Sequence, residues 1–231
     1  MIRAWRLLAG ALFVALVASI AIAAWNYERL LDRYAPFEFD QPPNFLTPLH
    51  FHLMRANPER CFAALERGNI AHTRTAPYES RDGCGYSNAV LLQRSAVSYG
   101  GRVLLQCPAM AALLLWERHV VGPAGERHLG KKVTAVRSLG TYSCRNVNRS
   151  KEGRLSQHAS ANAIDIADFT FADGSRVTLL QDWNDTGTKG HFLREARDGA
   201  CTLFGAVLSP GYNAAHRNHF HFDMGRGRLC R

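Results

Sequence analysis

Histidine and aspartate residues that could bind a metal ion fall into two clusters of this sequence. The first cluster holds His158 and Asp165, which are separated by six small or apolar residues. Residues 163–169 carry the apolar side chains of a buried strand. We therefore expect Asp165 to stand on a rigid strand and His158 to reach it from the preceding loop.

The second cluster, at residues 219–223, contains His219 and His221. On a strand these two side chains point to the same face, because the side-chain period is two. Zinc in a hydrolytic site takes three ligands from His, Asp or Glu and keeps one position open. His158, Asp165 and His221 satisfy that count, so the sequence predicts a Zn²⁺ site.

A further histidine near the metal could act as a general base, because its pKa lies close to neutrality. His219 is the first candidate, since it shares a face with His221. His216 is the second, provided that the turn before the strand folds back. Asp223 either orients a ligand imidazole or closes off the final strand.

Six cysteines predict the compartment of the chain. Their number is even and none forms a C-x-x-C pair, which argues against a zinc ribbon or a thioredoxin-type motif. Three disulfides in an oxidising compartment are the simplest interpretation, although 15 connectivities stay open. The cysteines are Cys61, Cys84, Cys107, Cys144, Cys201 and Cys230.

Residues 7–25 form an uncharged apolar run that follows Arg3 and Arg6. At about 1.5 Å per residue its 19 residues span roughly 28 Å, close to the thickness of a bilayer core. We expect an uncleaved anchor that crosses the inner membrane once and leaves the rest of the chain in the periplasm. The alternative is a signal peptide cleaved near residues 21–23, followed by secretion.

A formal net charge of +9 favours anionic partners such as cell-wall polymer or lipid head groups. A generally basic soluble surface explains the charge equally well. Nucleic acid is excluded as a partner by the expected export and by the lack of a basic run. The oligomeric state is not determined by the sequence.

The pattern of apolar, proline and glycine residues predicts an α+β fold: a small, mostly antiparallel sheet flanked by helices and preceded by one N-terminal transmembrane helix. We divide the chain into an anchor (1–26), a proline-containing linker (27–57) and a globular domain (58–231). The predicted elements of that domain include a helix beginning at Asn57-Pro58, a buried helix at 109–119, strands at 133–136, 163–169 and 177–180, a hairpin turn at Asp173-Gly174, a surface helix at 191–201 and a last strand at 219–224.

Two motifs support a resemblance to known families. The pattern Ser156-x-His158-x-x-Ala161-x-Ala163-x-Asp165, followed by His219-x-His221, resembles the zinc peptidases grouped as lysostaphin, D-Ala-D-Ala carboxypeptidase and hedgehog-like. Within that group, the region from about residue 61 to 230 resembles the bacterial extensin-like C-terminal domain family. The matching features are the cysteine pattern, Tyr142-Ser143-Cys144-Arg145, the core at 158–166, Asp182-Trp183 and the closing His-x-His.

The resemblance implies a zinc ion held by His158, Asp165 and His221, with His219 as the catalytic histidine. It places Arg145 where an arginine stabilises a developing oxyanion or binds a substrate carboxylate. A surface charge beside a disulfide is the alternative role for Arg145.

This chain departs from the carboxypeptidase branch at two points. That branch usually has glycine where Ala161 stands, and an acidic residue shortly before the last ligand, where this chain has residues 217–219, Arg-Asn-His. The general base would therefore be a histidine. We expect an envelope zinc hydrolase that cuts an amide bond of peptidoglycan peptides; the alternative is a non-catalytic envelope protein that binds wall polymer or a partner protein.

Overall fold

The computed structural model describes residues 2–231, except the side chains of residues 2–4, 7 and 24. Arg3 and Leu7, which flank and begin the predicted membrane anchor, therefore lie outside the described side chains. The chain forms two compact units, Met1–Glu38 and Phe39–Arg231. The predicted division at residues 26 and 57 stays a prediction.

The first unit is built on one long helix, α1 (Ile2–Tyr34). Many of its large apolar side chains are exposed; they include Leu8, Leu12, Phe13, Val14, Leu16, Val17, Ile20 and Ile22. No single helix among the described residues is long and apolar enough to cross a membrane. The segments Leu8–Ala23 and Trp25–Tyr34, inclined by 62° to each other, meet the length and composition of a span only together.

The second unit is α+β, as predicted, and its main sheet has six strands. The strand order is β11-β9-β10-β7-β6, and β8 also pairs with β7. All pairs are antiparallel except the pair of β9 and β11. The strands are β6 (Val133–Gly140), β7 (Ala163–Phe171), β8 (Arg176–Thr178), β9 (Ala206–Leu208), β10 (Phe220–Asp223) and β11 (Leu229–Cys230).

Two smaller sheets accompany the main one. One has the order β1-β4-β5, and the other is the pair β2-β3. Their strands are β1 (Ala71–Arg74), β2 (Tyr78–Glu79), β3 (Gly85–Tyr86), β4 (Ala89–Arg94) and β5 (Val103–Gln106). The remaining helices are α2 (Thr47–Ala56), α3 (Pro58–Arg67), α4 (Cys107–Trp116), α5 (Gly122–Leu129), α6 (Leu179–Asp182) and α7 (Thr188–Leu203).

Helix α4 lies at the centre of the core, because all ten of its residues are buried. Trp116, at its end, packs edge-on against Phe222 of β10 and lies 6.1 Å from Phe169 of β7. The indole N–H of Trp116 donates to the carbonyl of Ala196 in α7, at 2.7 Å. Trp116 thus joins α4 to α7 and to β7 and β10, the two strands that carry Asp165 and His221.

Three disulfides confirm the prediction from the cysteine count, and they resolve the connectivity. They join Cys61 to Cys107, Cys84 to Cys144, and Cys201 to Cys230. The bond from Cys84 to Cys144 fixes the segment that follows β6, and the bond from Cys201 to Cys230 joins α7 to β11.

The predicted helices and strands are present, but several begin or end at other residues than predicted. The strand predicted for 177–180 stops at Thr178, whose hydroxyl caps α6 by accepting from the backbone N–H of Gln181. The buried helix predicted for 109–119 begins at Cys107 and changes at Glu117 into a π-helical turn. Helix α2 was not predicted; Pro48 stands in its first turn, where a missing N–H costs no hydrogen bond.

Candidate metal centre

Strand pairing places two of the three predicted ligands side by side. Asp165 of β7 and His221 of β10 are direct partners in the antiparallel register. Such partners have side chains on the same face of the sheet, about 5 Å apart at Cβ. The Nδ1 atom of His221 consequently lies 2.9 Å from Oδ1 of Asp165.

The third ligand, His158, comes from the short 3₁₀-helix Gln157–Ser160, which precedes β7. Ser156 caps this turn, because its hydroxyl accepts from the backbone N–H of His158. The turn ends at Ala161, whose backbone is left-handed with φ 52°. That reversal feeds the chain directly into β7, at a position where a Cβ disfavours the backbone conformation and glycine would be favoured.

The three donor atoms converge closely enough to share one ion. Nε2 of His158 lies 3.1 Å from Nδ1 of His221 and 3.1 Å from Oδ1 of Asp165. A point above a triangle with edges of about 3 Å can lie about 2.0–2.2 Å from all three corners, the usual ligand distance for nitrogen and carboxylate oxygen on zinc. His158, Asp165 and His221 could therefore hold a metal ion.

In each ligand histidine, one ring nitrogen points away from Asp165 and forms a hydrogen bond there. That bond determines the tautomer of the neutral ring, and so which nitrogen is left without a proton. Nδ1 of His158 donates to the carbonyl of Thr141 at 2.8 Å, and a carbonyl can only accept. Nε2 of His221 donates to Oδ2 of Asp223 at 3.0 Å. The remaining nitrogen of each neutral ring therefore points a lone pair at the carboxylate of Asp165, and a cation is needed between the three atoms.

Without a metal, that cation is a proton. Burial lowers the pKa of His221, but hydrogen bonds and negative charge from Asp165 and Asp223 outweigh burial and raise this pKa to about 9. Burial raises the pKa of Asp165, yet the hydrogen bonds and charges of His158 and His221 bring it well below its usual range. A metal ion that enters the site at neutral pH must displace the proton of His221.

Two further histidines stand beside the ligands. Nε2 of His219 lies 3.7 Å from Oδ1 of Asp165, while its Nδ1 donates to the amide oxygen of Asn218 at 2.9 Å. Burial lowers the pKa of His219, and the charge of Asp165 opposes this only in part. The ring of His219 is therefore neutral at neutral pH and turns an unprotonated Nε2 toward the metal centre.

His216 lies behind His219, with 5.2 Å between the ring centroids. Its Nδ1 donates to the amide oxygen of Asn213 at 2.7 Å. Burial, followed by repulsion from His219 and His221, lowers the pKa of His216 to about 4. The turn before β10 thus folds back as the prediction for His216 required.

Asp165, His216, His219 and His221 open onto one cleft of about 230 Å³, and Arg145 lies on its wall. The positive charge of Arg145 contributes, after burial and the neighbouring histidines, to the lowered pKa values of His216 and His219. Asp165, His219 and His221 also line the cleft, so the centre is accessible on one side.

Two supporting groups, the carbonyl of Thr141 and the side chain of Asn213, were not predicted from the sequence. The carbonyl of Thr141 has no sequence signal, because any residue supplies one. Asp223 was considered, and its hydrogen bond to His221 favours the orienting role over the closing one. Asn213 could have been found, because it caps the short helix Ala214–His216 by accepting from the backbone N–H of His216, a pattern typical of asparagine.

Fold and site together define a disulfide-bonded α+β domain with an accessible histidine–aspartate centre. Residues 59–231 match the model of the extensin-like protein C-terminus, so the chain belongs to that family. Comparison with curated proteins and with solved structures gives no match.

Removing the acceptor behind His221 should weaken metal binding. We expect Asp223→Ala to lower the affinity for Zn²⁺ about 10- to 100-fold, the usual effect of losing such a partner, because the ring of His221 is no longer held in its ligating tautomer. Competition with a chromophoric chelator measures this. Asp223→Asn is the control, since its amide oxygen can still accept, and it should lose less; equal losses in both variants would contradict the tautomer argument.

Metal affinity should also depend on pH. Because the pKa of His221 is about 9 in the metal-free fold, binding displaces a proton below that pH, and the affinity for Zn²⁺ should rise with pH until about 9. The same raised pKa stabilises the metal-free fold below about pH 6.5, and this contribution is lost as the pH rises through 9. Chelator competition and thermal unfolding in EDTA measure the two trends, and both should flatten in His221→Gln.

Proposed function

We propose that this chain is a zinc-dependent amide hydrolase of the cell envelope, acting on peptidoglycan peptides. The supporting observation is the convergence of three possible ligand atoms, from His158, Asp165 and His221, next to the neutral ring of His219 at an accessible cleft. A purely structural metal site would be closed by a fourth protein ligand and would not need a spare imidazole.

Zinc is the metal that suits this donor set best. Two imidazole nitrogens and one carboxylate oxygen are typical of catalytic zinc sites, which keep one position for water or substrate. Calcium and magnesium prefer oxygen ligands alone. The accessible side of the centre faces the cleft, which agrees with an open fourth position.

In the proposed mechanism, a bound zinc ion supplies a Lewis acid that lowers the pKa of water to about 7 and polarises the carbonyl of the amide. His219 takes a proton from the attacking water at Nε2, the nitrogen that its hydrogen bond to Asn218 leaves unprotonated. The same ring then gives the proton to the leaving amine. Arg145 stabilises the developing oxyanion or the carboxylate of the substrate through its planar set of donors.

His216 is the second candidate for proton transfer. Its pKa of about 4 makes it a weak base, and its ring packs behind that of His219 on the same cleft wall, with 5.2 Å between the centroids. We assign it to the support of His219, with which it packs, and keep His219 as the catalytic base.

We place the chain among the lysostaphin, D-Ala-D-Ala carboxypeptidase and hedgehog-like zinc peptidases on the strength of its motif. Four residues of that motif have a role in the geometry: Ser156 caps the turn, His158 and Asp165 converge, and Ala161 takes the left-handed position that favours glycine. Peptidoglycan peptides are the proposed substrate because that group acts on such peptides and because the disulfides fit an oxidising envelope compartment.

We further propose that α1 anchors the chain in the inner membrane, with the disulfide-bonded unit in the periplasm. The exposed apolar side chains from Leu8 to Ile22 favour a hydrocarbon environment, since water contact costs about 25 cal/mol for each Å² of apolar surface. The disulfides support a location of the second unit outside the cytoplasm.

The hydrolase proposal is tested with purified full-length protein and isolated sacculi. We expect about one equivalent of zinc and the release of peptide fragments, with His219→Ala lowering the rate at least about 100-fold while zinc stays bound, because only the base is lost. His158→Ala should lose the zinc. His191→Ala, a histidine outside the cleft, is the matched control and should behave as wild type.

Two outcomes would contradict this proposal. Zinc far below one equivalent in the wild type, unchanged by His158→Ala, would mean that the metal site is wrong. Sedimentation of the protein with sacculi, without any fragments, would favour the non-catalytic wall-binding alternative.

The membrane proposal is tested by fractionation of cells that express the full chain. We expect a carbonate-resistant membrane pellet, an intact N-terminus by mass spectrometry, and digestion of the second unit when protease is added to spheroplasts. Deletion of residues 7–25 should release the protein from the pellet. An N-terminus that starts near residue 24 would instead indicate signal cleavage.

A further inference from the structure

A small hairpin forms one wall of the cleft. Its two arms are residues 145–147 and 154–156, joined by an antiparallel bridge between Asn146 and Leu155. The backbone N–H of Ser156 donates to the carbonyl of Arg145 at 3.0 Å, and that of Val147 donates to the carbonyl of Arg154 at 3.0 Å. Arg154 therefore stands opposite Val147, two residues farther from the metal centre than Arg145.

Two of the three arginines of this hairpin, Arg145 and Arg154, are available to a ligand. Both line the cleft, and neither guanidinium forms an ion pair with any carboxylate of the residues that the structure describes. The two carboxylates on the cleft, Asp165 and Asp223, are already bound to imidazoles. Two guanidinium groups without ion pairs attract anions in a concave site, because the walls of the cleft focus the electric field of the two positive charges.

The tip of the hairpin is fixed by its own side chains. Asn148 and Arg149 both have a left-handed backbone, with φ 55° and 58°, which disfavours residues other than glycine. The amide of Asn146 donates to the carbonyls of Ser150 and Lys151, and the hydroxyl of Ser150 donates back to Val147. These bonds hold the strained turn and therefore hold Arg154 at a set distance from Arg145.

We infer that Arg154 forms a second anion subsite, so that the substrate is an acidic peptide with a carboxylate about two residues from the cleaved bond. The inference rests on the proposed hydrolase function, in which Arg145 serves the reacting end of the peptide. Arg145 and Arg154 are diagonal neighbours on the two arms, typically about 7–8 Å apart. Two residues of an extended peptide cover about 6.6 Å, so side chains two residues apart can reach the two arginines. A guanidinium suits this role because it binds a carboxylate through two parallel N–H donors.

The test compares two labelled tetrapeptides, Glu-Lys-D-Ala-D-Ala and Gln-Lys-D-Ala-D-Ala, which differ only in the carboxylate two residues before the last peptide bond. Binding is measured by fluorescence anisotropy on the full-length, zinc-loaded His219→Ala variant, so that turnover does not consume the probe. We expect the Glu peptide to bind about 5- to 20-fold tighter. Arg154→Gln should abolish this preference, and Arg154→Lys should keep part of it, since the charge remains and the second donor is lost.

Arg149→Gln is the matched control, because Arg149 is on the same hairpin and exposed but does not line the cleft. It should keep the full preference for the Glu peptide. A preference that survives in Arg154→Gln, or that is missing before any arginine is changed, would overturn the subsite. If the preference depends on Arg154 while the wild type cleaves neither peptide, the subsite stands and the hydrolase proposal fails.

Discussion

Three electron-pair donors with no proton between them repel one another, and the centre of this domain brings three of them within about 3 Å. The arrangement of His158, Asp165 and His221 is favourable only with a cation in the middle. Both imidazoles are fixed in the required tautomer from behind, by the carbonyl of Thr141 and the carboxylate of Asp223. The rest of the fold can be understood as what holds these five groups in place.

Each of the five groups comes from an element with its own support. Thr141 follows β6 and is held near the disulfide from Cys84 to Cys144. Asp165 lies on the central strand β7, between β6 and β10, where backbone bonds on both edges fix it. His221 lies along β10 between the buried Phe220 and Phe222, and Phe222 packs against Trp116 of α4, so the core and the metal centre share one strand.

Sequence alone predicted the parts of this site that depend on side-chain type and period. The ligand set could be found because the strand period places His221 on one defined face, and Asp165 stood in an apolar run. The pairing of β7 with β10, which makes the two residues partners, joins positions 56 residues apart and has no local signal. The Thr141 carbonyl was invisible for the same reason, since backbone acceptors carry no sequence identity.

Errors of the sequence analysis have local physical causes. Thr178 has good strand propensity but serves as a helix cap, which shortens β8. The cleft wall at 145–156 was not predicted, because its hairpin depends on asparagine side chains that bond to the backbone rather than on a standard two-residue turn. Arg154 was therefore overlooked, although its neighbour Arg145 was named.

Because core and cleft residues alternate along β10, the metal centre can form only when this strand pairs in the correct register. Phe220 and Phe222 fill the core while His221 and Asp223 face the cleft, so a slip of one residue would exchange the two sets completely. A shift in register cannot remove the ligands from the cleft while it leaves Phe220 and Phe222 in the core. A metal ion bound at this site would therefore report on the register of β10, and an ion that binds only the correct register would add its binding free energy to the stability of that register.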